Sequence, residues 1–84
     1  FPNPFNPTTQ IAYTIARGGP VTLAVYDLAG RRIKTLDDGV KEPGYHSVVW
    51  DGTDLTGQPA ASGVYLYRLI TDEFEDTRRM VLLK

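Results

Sequence analysis

His46 beside Ser47, and Asp51 and Asp54 interleaved with Thr53 and Thr56, are the residues whose types and spacing could do chemistry. The first pair suggests proton transfer from a nucleophilic hydroxyl, and the second set offers hard oxygens to a cation such as calcium. Parity removes the first. Tyr45, Ser47 and Val49 alternate with His46, Val48 and Trp50, so in an extended chain the His46 and Ser47 side chains project to opposite faces and cannot share a proton. His46 then shares a face with Trp50 and is expected to be a partly buried packing residue with one hydrogen bond. Asp51-Gly52-Thr53-Asp54 loosely resembles the opening of a calcium loop. The bidentate acid that would close such a loop is missing at the required spacing, and no helices flank it. Asp51 and Asp54 are therefore weak metal candidates, expected instead to bond to turn amides. Gly52, Gly57 and Gly63 are too widely spaced for a phosphate cradle. No catalytic or cofactor-binding residue is assigned, no cofactor is expected, and the chain does not read as an enzyme.

The stretch around these residues organises the rest. From Gly44 to Thr71 two alternating runs, one ending at Trp50 and one holding Tyr65, Tyr67 and Leu69, flank a polar loop, DGTDLTGQPAASG. A period of two gives each run one core-facing side. Before them, Ile11, Tyr13 and Ile15 alternate, Gly18-Gly19-Pro20 breaks the chain, and Val21, Leu23 and Val25 repeat the pattern, predicting two strands joined by a tight turn. Ala29-Gly30 marks the next turn, Arg32 to Leu36 a shorter strand, and Asp37-Asp38-Gly39 and Glu42-Pro43-Gly44 further turns. A last strand runs from about Glu75 to Lys84. Residues 1 to 7, FPNPFNP, hold three prolines and read as an edge strand at a domain boundary.

Turn signals every eight to twelve residues without a helical period predict about seven short antiparallel strands in two facing sheets. This is an all-β, immunoglobulin-like or fibronectin-type-III-like sandwich. Tyr65 or Tyr67 is expected to be the corner tyrosine whose hydroxyl returns to nearby backbone. The chain has 84 residues and no cysteine, so one thin core without disulfides must hold it. Net charge of -1 gives no basic face for nucleic acid. No apolar run is long enough for a helical membrane span. Phe1 is no initiator and Met80 is the sole methionine, so residues 1–84 are expected to be a single module, at the C-terminal end of a larger protein.

The stretches FPNPFNPTT (1–9), VYDLAGRRIKTL (25–36), GYHSVVWDGTDLTGQPAASGVYLYRL (44–69) and TRRMVLLK (77–84) closely resemble two related families. These are the C-terminal sorting domain (type A) of the type IX, or Por, secretion system, and the immunoglobulin-like domain of the flagellar hook-capping protein. The likeness spans essentially the whole chain. What the sorting-domain resemblance implies is a non-catalytic β-sandwich at the end of an exported bacterial protein. An outer-membrane translocon and sortase machinery would read it, directing an N-terminal cargo domain of the same chain through the periplasm to a secreted or cell-surface location.

On that reading the partner-binding residues are Met80, Val81, Leu82, Leu83 and Lys84. The final strand is apolar on both faces, with Met80 and Leu82 on one and Val81 and Leu83 on the other, and an open edge of this kind invites strand addition. A monomer is expected. The alternative is an accessory spacer, or a carbohydrate- or protein-binding module of a secreted bacterial enzyme, for which Tyr26, Tyr45 and Phe74 are the aromatics left outside the core face.

Overall fold

Every alternating run after residue 8 forms a strand, because each offers one apolar face that only a facing sheet can cover. The computed structural model describes residues 8–83. In it β1 (Thr9–Ile15), β2 (Gly19–Tyr26), β3 (Arg32–Lys41), β4 (Gly44–Trp50), β5 (Gly63–Thr71) and β6 (Glu75–Leu82) follow in order. All pairings are antiparallel: β1 with β4 in one sheet, and β3-β2-β5-β6 in the other. The fold is an all-β, immunoglobulin-like sandwich of six strands among the described residues, against about seven expected. The expected edge strand over residues 1–7 lies outside the described residues.

The turn after Ile15 is tight, but the strands it joins part company, β1 entering the small sheet and β2 the large one. Ile11, Tyr13 and Ile15 thereby pack across the sandwich on Val21, Leu23 and Leu69. At the other end Trp50 joins Val25, Ala60, Tyr65 and Leu82, with the Trp50 and Tyr65 rings edge to face at 5.3 Å.

β3 departs most from expectation. It runs to Lys41 rather than stopping at Leu36, and Asp37-Asp38-Gly39, predicted as a turn, lies in register with Leu23, Thr22 and Val21. Two register shifts explain how. Asp37 pairs with Leu23 and Thr35 with Ala24, leaving Leu36 as an extra residue; Lys34 pairs with Val25 and Arg32 with Tyr26, leaving Ile33 extra. A bulge re-aims the side chain it inserts. Leu36 packs against both core clusters and Ile33 against the Trp50 cluster, so the bulges let a β3 that does not alternate still send two apolar side chains to the core beside β2.

Candidate functional site

The loop from Asp51 to Ser62 carries the residues with the most chemical potential, and the fold uses them as turn locks. Asp51 Oδ1 accepts from the Thr53 amide at 3.0 Å and from its hydroxyl at 2.6 Å. Asp54 Oδ1 repeats the device, accepting from the Thr56 amide at 2.9 Å, the Thr56 hydroxyl at 2.6 Å and the Gln58 amide at 3.1 Å. These bonds, led by the threonine hydroxyls, hold both carboxyls below the usual carboxylate range. Among the described residues no cluster of three His, Cys, Asp or Glu is placed to hold a metal ion.

The loop is fixed to the core beneath it. Trp50, fully buried, donates its indole N–H to the Thr53 carbonyl at 2.9 Å. The Ala60 amide bonds to the Gly52 carbonyl at 2.8 Å, and Ala60 itself is buried against the indole. Gly52 makes the first bend at φ +79°, a conformation that side chains resist. From the neighbouring strand Lys34 Nζ donates to Thr53 Oγ1 at 3.0 Å and to the Asp54 carbonyl at 3.3 Å. Tyr65 is the corner tyrosine, its hydroxyl donating to the Ala61 carbonyl at 2.6 Å.

His46 and Ser47 lie on opposite faces of β4, opposite Tyr13 and Ala12 respectively in β1. His46 is half-buried, stacks on Tyr13 with centroids 5.2 Å apart, and has Nε2 2.7 Å from the Glu42 carbonyl oxygen. Ser47 accepts from Gln10 at 2.7 Å.

Sequence reading missed a polar bridge between the sheets. The Tyr13 hydroxyl donates to Asp37 Oδ2 at 2.8 Å, and Lys41 Nζ lies 2.9 Å from Asp37 Oδ1. Partial burial works against ionising Asp37, but the hydrogen bonds from Lys41 and Tyr13, with the Lys41 charge, outweigh it and keep the carboxyl below its ordinary range. Burial, then the bond and the charge of Asp37, push the Tyr13 phenol up. The Asp-Asp-Gly pattern hides the bridge, since it carries a turn signal and only the bulge at Leu36 aims Asp37 at Tyr13.

The three non-core aromatics do not form a platform. Tyr45 lies on the outer face of the small sheet, Tyr26 on the large sheet beneath the Arg68 guanidinium at 5.0 Å, and Phe74 in the turn after β5. Of the terminal residues, Met80 packs against the core and Leu82 is buried, whereas Val81 and Leu83 are 54% and 75% exposed. Lys84 lies outside the described residues. β6 is the outer strand of its sheet, bonded to β5 alone among the described strands.

Compared with known protein families, residues 7–73 match the FlgD Ig-like domain. The chain belongs to that family. Two solved FlgD structures share its fold. FlgD from P. aeruginosa is 23% identical, with a TM-score of 0.65 over 89% of this chain and 59% of that one. FlgD from Xanthomonas campestris, a structure described in terms of hook capping essential for flagellar assembly, is 24% identical, with a TM-score of 0.68 over 92% and 56%. This chain thus spans less than two thirds of either FlgD chain. No curated protein matches it.

The FlgD match corrects the functional expectations. The family found is the hook-capping one and not the type IX sorting domain. With it fall the sorting-signal function, the outer-membrane translocon and sortase machinery with an N-terminal cargo domain as partners, and the secreted or cell-surface destination. The alternative of an accessory or carbohydrate-binding module of a secreted enzyme is overturned by the same match. The FlgD-family segment also ends before β6 begins, so it lends nothing to a receptor for residues 80–84.

Proposed function

We propose that this chain is a non-catalytic structural module of a hook-capping-type scaffold protein, a rigid sandwich that carries protein contacts during flagellar assembly. The match over residues 7–73 carries the reading. The wiring of the polar groups supports it: Asp37, Asp51, Asp54 and Tyr65 are each engaged in holding turns or sheets together, which suits a scaffold. As one module of a longer protein, it would offer Val81 on β6 and Leu83 just after it, together with Tyr45 and Val49 on β4, as exposed apolar contacts.

The test is genetic. In the parent gene, the segment for residues 8–83 is replaced by a flexible glycine-serine linker, and hooks are counted by electron microscopy alongside motility in soft agar. Loss of hooks with the remaining protein still present is the expected result. Normal hooks, or a host lacking flagellar genes, would overturn the proposal.

A further inference from the structure

The outer face of the large sheet departs at one end from the polar surface that a sandwich ordinarily turns to water. Tyr65, Met80 and Leu82 belong to the core, so their chain neighbours Leu66, Arg79 and Val81 point the other way. Antiparallel register then lines up one row across all four strands: Arg32 of β3, Tyr26 of β2, Leu66 of β5 and Arg79 of β6. Val64, opposite Val81, forms the next row toward the end of the sheet. Tyr26, Leu66 and Val64 are half-buried, whereas Val81 and both arginines are exposed. An apolar strip thus lies between two cations.

Those cations are uncompensated. Neither Arg32 nor Arg79 has an ion pair among the described residues, and neither row holds an acid. The acids around this face are engaged or set apart: Asp27 holds Arg31 at 2.8 Å, Glu75 holds Arg68 at 3.2 Å, and Asp38 lies opposite Thr22, two rows along. Residues 1–7 contain no charged side chain, and β1, into which they lead, is in the small sheet across the core.

We propose that this face receives an acidic amphipathic helix of another protein, in which two carboxylates bracket a pair of apolar side chains. Charge selects the carboxylates, since two exposed arginines without partners favour an anionic occupant. The flat face selects the helix. Unlike a sheet edge it offers no backbone partners, so the occupant must satisfy its own N–H and C=O groups, which a helix does and a lone extended strand does not. The spacing agrees: three steps of about 4.8 Å between strands put Arg32 and Arg79 about 14 Å apart. Helix residues i and i+10 are about 15 Å apart on one face, with i+3 and i+7 between them. Laid across the strands, such a helix sets its carboxylates on Arg32 and Arg79 and its apolar residues on Tyr26 and Leu66, beside Val64 and Val81. A second copy of this chain does not supply it, because the described residues contain no helix. The inference stands on this face and does not depend on the hook-assembly reading.

The probe is a capped alanine- and glutamine-based helical peptide with two glutamates ten positions apart and leucines three and seven positions after the first. It is titrated into the isotope-labelled 84-residue chain at low salt and followed by amide NMR shifts, and the dispersed spectrum of each variant reports that it stays folded. Shifts centred on Tyr26, Leu66, Arg79 and Val81 are expected. Arg32→Glu and Arg79→Glu should each weaken binding about fivefold, the scale of one exposed ion pair lost and a repulsion gained. Arg17→Glu, the same charge change in the turn between β1 and β2, should leave it unchanged. A peptide with lysines in place of the glutamates should fail on the parent chain and bind the variant carrying both Arg32→Glu and Arg79→Glu. No shifts, shifts centred on another face, an equal loss from Arg17→Glu, or equal affinity for the lysine peptide would overturn the proposal. So would equal binding by a peptide whose helix is broken by a central proline, or binding of phosphatidylglycerol vesicles through the same arginines, since the occupant would then be an extended segment or a lipid surface.

Discussion

The Tyr13 hydroxyl lies 2.8 Å from Asp37 Oδ2, joining the small sheet to the edge strand of the large one. It is a hydrogen bond to a charged acceptor in a partly buried setting, the kind that contributes about 1.5 kcal/mol or somewhat more. Tyr13→Phe keeps the ring and its stacking on His46 while deleting the bond. Urea unfolding should show a loss of about 1.5 kcal/mol, with the slope of the transition unchanged. A variant as stable as the parent would show that the bridge contributes nothing.

The same pair predicts the pH limits. The Asp37 carboxyl is held low in the folded chain, so its contribution is present above the unfolded value of about 4 and fades as pH falls through the lower folded value. The Tyr13 phenol is raised, so its contribution is present below the unfolded value of about 10 and is lost as pH climbs beyond that. Stability measured by chemical denaturation should thus fall on both flanks. Asp37→Asn should flatten part of the acid limb, and Tyr13→Phe should remove the alkaline limb that Tyr13 causes.

Tyr65 closes the corner on Ala61, and its ring meets Trp50 edge-on. Tyr65→Phe should cost about 1 kcal/mol, the value of one neutral hydrogen bond. Trp50→Ala removes the largest fully buried side chain and the anchor of the Asp51–Ser62 loop, and should cost about 3 to 5 kcal/mol. That is enough to leave so small a domain largely unfolded. Thermal melts followed by circular dichroism order the two variants.

Leu36 fills the core from a bulge rather than from a regular inward position. Leu36→Ala should cost about 2 kcal/mol, at the low end for a leucine because the site is half-buried. Replacing the exposed Val40 by alanine on the same strand should stay within about 0.5 kcal/mol.

Calcium should have no effect on the Asp51–Gln58 loop. Each aspartate already accepts bonds from a threonine hydroxyl and backbone amides. Millimolar calcium should leave the melting temperature unmoved, while Asp54→Ala should speed amide exchange at Thr56 and Gln58.

Alternation by itself determined that the chain is a sandwich, which residues of β1, β2, β4 and β5 face inward, and that His46 and Ser47 cannot act together. It could do so because a side-chain period of two is a property of the extended backbone, independent of the neighbouring strand. The corner tyrosine was legible only as Tyr65 or Tyr67, and the bond from the Tyr65 hydroxyl to Ala61 settles it for Tyr65. Tertiary structure alone decided the course of β3, where two bulges turn Asp-Asp-Gly from a turn signal into paired strand and aim Asp37 at Tyr13. A bulge is chosen by what the partner strand and the opposite sheet need covered, so no local pattern announces it.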